Sequence, residues 1–519
     1  MAWLTGWSYR KKLTVDHSKV DSDCSDFPVK TIFDGDNFAF AHALETGNDV
    51  RFTSSDGETL LKHERELHQV GDTPTGYANA SYETEFDGVD DYYSLPSASN
   101  LHKPYQVLEV EFTANAVNKD QNIVYLEMAD RTGATWFSLV KERSVRLGIT
   151  SEGKLIGYME CSNTGTYANA SVTSSASLSA DTKYSAKLVI DNNTKSLELY
   201  LDGQLQGSNT VTHAQTWSDI SAYIWCDLGV LFGYHSTTST NHSRYFDGTI
   251  HSYNLMAQNT LTSAVYHVKI PTASSTSDTE FYCYYGKSDA TDGADGENVW
   301  DSNYAMVHHM GSSLLDSTSN DNDGTNSGST LGLARDGYFR SFDGSNDYID
   351  LTGLTIANTN DLSFEIMAQH GESAHLFDAQ TGRWVIGWNL TDNLGVYYNS
   401  WFQVTTDIPA DGGMHLVGVT LDQGTERKIY IDDNSPDAAG SGPTVAIGGD
   451  VIMGARYALN SAFYNGKMSE YRISTTLRSD AWIKATSASL HDELLTFGSE
   501  ESAAPPIQGV HQGVQIIFI

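Results

Sequence analysis

Three stretches of this chain occur twice, in the same order, and that repetition constrains the fold more than any other feature. YETEFDGVDDYYSLP (Tyr82 to Pro96) returns as YFRSFDGSNDYIDLT (Tyr338 to Thr352). LVIDNNTKSLELYLDG (Leu188 to Gly203) returns as VGVTLDQGTERKIYIDD (Val417 to Asp433). FGYHSTTSTNHSRYFDGTIHSYNL (Phe232 to Leu255) returns as MGARYALNSAFYNGKMSEYRIS (Met453 to Ser474). Each copy is roughly 200 residues long, beyond the span of a solenoid repeat, so the pattern predicts a duplicated domain.

Within the copies the periodicity is that of strands. Leu197, Leu199 and Leu201 alternate with Glu198 and Tyr200, and Asp202-Gly203 then supplies a two-residue hairpin signal. Ile429 and Ile431 alternate with Lys428 and Tyr430 before the turn Asp432-Asp433-Asn434, and Val145, Leu147 and Ile149 alternate likewise. Asp87-Gly88 and Asp343-Gly344 are turn pairs bracketed by aromatics. Short strands punctuated this way predict a β-sandwich or jelly roll. Helix signals are sparse: Asp36 to Leu44, and Ser479 to Ser487 with Ser479 as N-cap.

The text outside the copies is also strand-like, at Tyr9 to Val15, Val29 to Phe33, Asp49 to Thr53, Ala264 to Ile270 and Glu280 to Tyr285. Neither piece looks complete alone, which predicts one domain interrupted by the first copy. The expected boundaries are 1–72 with 258–304 for the split β-sandwich, 73–257 and 305–498 for the two copies, and 499–519 for a polar linker and apolar tail. The 519 residues fit three or four domains.

The charge balance, 31 Lys+Arg against 66 Asp+Glu, leaves 31 − 66 = −35. That argues against nucleic acid and against an anionic membrane surface as partners. No apolar run reaches the roughly 18 residues of a membrane span, and MAWLTGWSYRKK has no apolar signal core. Four cysteines, Cys24, Cys161, Cys226 and Cys283, do not make a disulfide scaffold. Packing thiols are the expectation, with Cys24–Cys283 and Cys161–Cys226 pairs left open.

On FDGVDDYYSLP and FDGSNDYIDLT, then YLDG and YIDD, then FDGTIHSYNL and YNGKMSEYRIS, the two copies resemble laminin G-like jelly rolls of the concanavalin A-like lectin superfamily. MVHHMGSSLLDSTSNDNDGTNSG resembles that family's opening strand and turn. The split pieces, through WSYRKKLTVDHSKVDSD, NDVRFTSSDG, VYHVKIP, FYCYYG and NVWDSNYAMVHHM, resemble an uncharacterised β-sandwich family of phage and bacterial surface proteins. The resemblances imply an all-β protein: two concanavalin A-like jelly-roll sandwiches plus one discontinuous β-sandwich domain.

Catalytic constellations are absent from the text. Glycosidases on this fold pair carboxylates on one strand face, as in E-x-D-x-x-E, and no such string occurs. Glu109 and Glu111 share a face and Glu198 stands alone, as solvent-facing strand carboxylates do. His308-His309 point to opposite strand faces and cannot easily share an ion. Calcium is the better metal candidate, since Asp316, Asp321 and Asp323, with Asp87, Asp90, Asp343 and Asp347, offer hard oxygens in loops. The same residues serve equally to hold turns, and some laminin G-like relatives bind calcium at their rim.

Sugar binding needs exposed aromatic faces beside polar groups. Trp388, Tyr397, Tyr398 and Trp401 cluster in GWNLTDNLGVYYNSWFQV, and Trp136 holds a similar place in the first copy. Core packing is the competing reading for each. The ending GVQIIFI (Val514, Ile516, Ile517, Phe518, Ile519) reads as a strand that docks on a neighbouring subunit or back on its own chain.

Taken with the resemblance, these features predict a non-enzymatic virion surface protein of a tailed phage: a tail fibre, head fibre or capsid decoration, multicopy or homo-oligomeric. Its partners would be host-surface glycans or other virion proteins. A bacterial secreted adhesin and a purely structural assembly module are the alternatives.

Overall fold

Strand text becomes strand where alternation marks it. Tyr9–Val15, Thr279–Tyr285, Ser196–Leu201 and Lys141–Ile149 all cover predicted runs. The hairpin joining Ser196–Leu201 to Gln204–Thr210 turns on Asp202 and Gly203, with φ of 50° and 79°. Both residues are left-handed, as a primed two-residue turn requires. The computed structural model describes residues 2–503 apart from 36, 72–74, 81–82, 90–92, 96–102, 131–140, 164–165, 193–194, 212–222, 229–244, 259–261, 352, 406, 411–412 and 433–435. The tail residues Val514 to Ile519, and with them Trp136, Asp90, Asp433 and Asn434, lie outside the described residues.

The fold is all-β, and Asp480–Leu490 is the one α-helix among the described residues. Ser479 caps that helix, its Oγ accepting the Trp482 N–H at 3.1 Å. The helix expected at Asp36 to Leu44 is only a 3₁₀ turn, Phe40–His42. Phe38 and Phe40 are buried there, so side-chain packing and not helical periodicity sets the local path.

The chain divides into two compact units. The first is built from residues 1–68, 265–301 and the segment from Ser479 onward. One of its sheets runs Leu495–Ser502, Tyr9–Val15, Thr279–Tyr285, Arg51–Ser54, Leu60–Leu61; the other runs Cys24–Asp34, Ser263–Ala273, His63–Gln69. The expected boundary at 498 is therefore corrected. Leu495–Ser502 pairs antiparallel with Tyr9–Val15, giving that strand its second neighbour. The helix joins the same unit, with the Phe27 and Trp482 rings 4.9 Å apart and the Lys30 N–H donating to Ser489 Oγ. In chain order, then, both copies interrupt this unit, not the first alone. Cys24 and Cys283 are buried within it and not bonded to each other.

The second unit, 69–264 with 302–478, holds both copies. In the first, one sheet runs Thr166–Ser177, Lys154–Asn163, Lys141–Ile149, Gln121–Asp130, Tyr223–Leu228, Tyr93–Leu95. In the second, the corresponding order is Ser400–Gln403, Leu394–Tyr398, Trp384–Trp388, His375–Ala379, Val451–Met453, Tyr348–Asp350, with Thr325–Ser327 added at the edge. The opposing sheets match as well. Gln204–Thr210, Ser196–Leu201, Lys183–Asp191, Tyr105–Ala114 and Asp247–Gln258 correspond in order to Ala438–Ser441, Glu426–Ile431, His415–Asp422, Leu362–Ala368 and Asn465–Ser474. The repeat read in the sequence is thus a repeat of topology.

Alternation decides which side chains fill each sandwich. Val145, Leu147, Met159 and Cys161 face Leu188, Leu197 and Leu199 in the first core. Trp384, Ile386, Trp388, Leu394 and Val396 face Phe364, Ile366, Val417 and Val419 in the second. The residues between them in sequence are left for the outer faces of the sheets.

Candidate functional site: the outward face of the second sandwich

Because Trp384, Ile386 and Trp388 point inward, Val385 points outward; because Leu394 and Val396 point inward, so does Tyr397 outward. Register then lines up Asp378, Val385, Tyr397 and Trp401 as one row across four strands. Tyr397 and Trp401 are half-buried, their ring centroids 5.6 Å apart at 63°. That edge-to-face geometry leaves flat ring surface available beside it.

A charged clamp stands next to the rings. Asp378 is wholly buried and accepts from Arg383 Nη1 at 2.9 and 3.0 Å. Its Oδ2 also lies 2.9 Å from His375 Nδ1. The Arg383 guanidinium lies 4.8 Å from the Tyr457 ring and 5.9 Å from the Tyr397 ring. Arg456 approaches the same Tyr457 ring at 5.9 Å, and its buried Nε has no hydrogen-bond partner. Arg383 itself has φ of 48°, a left-handed backbone that a non-glycine residue rarely adopts. Gly382 before it is left-handed too, with φ of 75°, and from this turn the Arg383 side chain reaches Asp378.

The predicted aromatics divide. Tyr397 and Trp401 are brought together on the face. Trp388, expected as a candidate sugar contact, is corrected to a core residue: it is 1% exposed, stacks on Tyr464 and donates from Nε1 to Asp407. It shares its parity with Trp384 and Ile386, which sends it inward. Tyr398 is half-buried and packs against the same core. Arg383, Asp378, His375, Tyr457 and Arg456 were not read from the sequence. The acid–base pair across the short DAQTGR turn was the one available signal.

The candidate calcium ligands hold their own loops. Asp316 accepts from the Val307 and Thr318 N–H groups at Oδ1, and from Thr318 Oγ1 and the Asn322 N–H at Oδ2. Asp323 accepts from the Asp316 N–H, Asp347 from the Asp343 N–H, Asp343 from the Ser345 N–H and Asp87 from the Val89 N–H. Asp321 is exposed, with φ of 53°. No three of these carboxylates gather within 4.8 Å among the described residues. In the split domain, Asp16, His17 and Asp278 do bring three potential ligand atoms that close. There Asp278 already takes His17 Nδ1 at 2.6 Å and Asp16 takes the Ser18 N–H.

His308 and His309 diverge as expected, to the Asn322 carbonyl and to Glu470 Oε2. Burial lowers the His308 pKa. Glu109 accepts from Asn254, while Glu111 takes Ser252 and Lys183, whose hydrogen bonds hold its pKa down. Glu198 accepts from the Tyr200 hydroxyl and pairs with Arg335. Among the described residues no helix is long and apolar enough to cross a membrane.

Residues 343–484 match the family model described as the concanavalin A-like lectin/glucanases superfamily. No curated protein matches the chain. Solved structures that resemble it include the CBM40 of a Ruminococcus gnavus IT-sialidase bound to alpha2,3 sialyllactose, at 16% identity over 35% of this chain and 91% of that one, TM-score 0.27. Domains LG4-5 of the mouse laminin alpha1 chain align at 14% identity over 78% of this chain and 92% of that one, TM-score 0.26. Domain 4 of a GH43 extracellular arabinanase from Geobacillus stearothermophilus, in complex with arabinotriose, aligns at 17% identity over 36% of this chain and 98% of that one, TM-score 0.29.

Proposed function

We propose that the second sandwich is a non-catalytic glycan-binding module whose outward face, Tyr397, Trp401 and Tyr457 with Arg383, contacts the sugar. The observation that carries this reading is the pairing of half-buried rings with a guanidinium fixed by a buried carboxylate. A sugar presents an apolar face to stack on rings and hydroxyls to accept from donors. The Trp401 Nε1 and Tyr397 hydroxyl make no hydrogen bond among the described residues and supply such donors. The superfamily match over 343–484 supports the class. Binding is weak per site and multiplied by copy number. The split domain's resemblance to phage and bacterial surface proteins supports display on a virion surface, as a fibre or capsid decoration.

The test is affinity electrophoresis of the intact protein in gels containing arabinan, xylan, polygalacturonate or hyaluronan. Retardation is expected in at least one gel, with Trp401→Ala weakening it about tenfold. Trp401→Ala migrating as wild type in every retarding gel would sink the reading. Mass spectrometry and immunogold labelling of purified particles check the placement, and absence from particles removes it.

A further inference from the structure

Resting on that reading, we infer that the first sandwich carries a second glycan site on its own corresponding face, built on Arg146 and Tyr158, so that one chain is bivalent. The two sheets share strand order. Tyr158 lies on Lys154–Asn163, which holds the place of Leu394–Tyr398, the strand of Tyr397. The inward residues Val145, Leu147, Leu155 and Met159 fix Arg146 and Tyr158 on the outside.

Register places Tyr125, Arg146 and Tyr158 in one row across three strands, whose strand order corresponds to that of the row containing Tyr397. The Arg146 guanidinium lies 4.8 Å from the Tyr158 ring. The Tyr158 hydroxyl donates to Glu160 Oε2 at 2.6 Å. Burial first, and then that bond, raises its pKa, so the phenol stays neutral. Arg146 and Tyr158 are both half-buried. The buried Arg146 Nε has no hydrogen-bond partner, and the guanidinium forms no ion pair among the described residues.

A guanidinium lying on a ring, with donors unsatisfied by the protein, matches a polyhydroxylated ligand better than a protein strand, which would bring apolar side chains. The face is smaller than its counterpart: one ring lies against the arginine here, against two there. It therefore binds more weakly and adds mainly avidity on polymeric glycan.

The experiment is the same electrophoresis with Tyr158→Ala, Arg146→Gln, Trp401→Ala and the Tyr158→Ala/Trp401→Ala double variant, each checked for an unchanged melting curve. Tyr158→Ala is expected to weaken retardation about two- to tenfold. Arg146→Gln should act in the same direction, and the double variant should abolish retardation. Trp401→Ala abolishing retardation while Tyr158→Ala and Arg146→Gln migrate as wild type would overturn the second site alone. Trp401→Ala without effect, or wild type unretarded in all four gels, would overturn both readings.

Discussion

The two sandwiches carry an arginine on the same outward face but hold it differently. In the second, Arg383 is clamped by a buried Asp378 and flanked by Tyr397 and Tyr457. In the first, Arg146 lies on Tyr158, and the nearby Glu160 is tied to the tyrosine hydroxyl instead. Duplication conserves strand order because each inner strand is fixed by two neighbours and by the core. Outward side chains answer to neither constraint, so the faces differ in chemistry while both cores stay apolar. One face carries more rings and a fixed charge; the other carries a looser pair.

Acid gives the largest expected effect and separates the sandwiches from each other and from the split domain. Burial pushes His63 and His68 down to about 4. Between about 4 and 6.5 the unfolded chain binds protons that the folded chain refuses. Stability present above pH 6.5 is therefore lost as pH falls toward 4, by roughly 3 kcal/mol for each histidine. His308 in the second sandwich shifts in the same direction for the same reason. In the first sandwich the described His251 is not so buried and pairs with Glu83. Hydrogen exchange at pH 7.5 and 4.5 should show peptides from the split domain opening first, the second sandwich next and the first sandwich least. First-sandwich peptides opening ahead of the others would break the ordering.

The aromatics of the second sandwich give the next effect. Trp388→Ala opens a cavity in the core and should cost about 3–5 kcal/mol in urea unfolding. Trp401→Ala, on the face, should cost less than about 1 kcal/mol while weakening binding about tenfold. Equal stability losses would mean that the face is packed like the core and is no platform.

Those two tryptophans show what was legible in the sequence. Trp384, Ile386 and Trp388 share parity, and parity alone sends Trp388 inward. The duplicated blocks, the Asp202-Gly203 hairpin and the Ser479 cap were readable because each is local. The pairing of Leu495–Ser502 with Tyr9–Val15 was not, since nothing within SEES marks its partner almost the whole chain away. The site was half legible for the same reason. Tyr397 and Trp401 lie on neighbouring strands of one hairpin, whereas Tyr457 reaches Arg383 from a distant loop. The Arg146–Tyr158 pair depends on cross-strand register, which no single window of sequence encodes.

The smallest effects probe the clamp against its looser counterpart. Asp378 is wholly buried while the Arg383 side chain is 31% exposed, so their ion pair is partly screened. Asp378→Asn leaves His375 and Arg383 without their shared charge and should cost about 2 kcal/mol, below the figure for a pair buried on both sides. Glu160→Gln keeps an acceptor for the Tyr158 hydroxyl on a half-buried strand position and should cost less than about 0.5 kcal/mol. Binding should follow the same order, since Asp378 fixes the guanidinium that flanks the rings, while Tyr158 is held by its strand whatever Glu160 does. Equal losses from the two variants, in denaturation and in gel retardation, would show that Arg383 is placed by its left-handed turn alone and that the buried carboxylate adds nothing to the face.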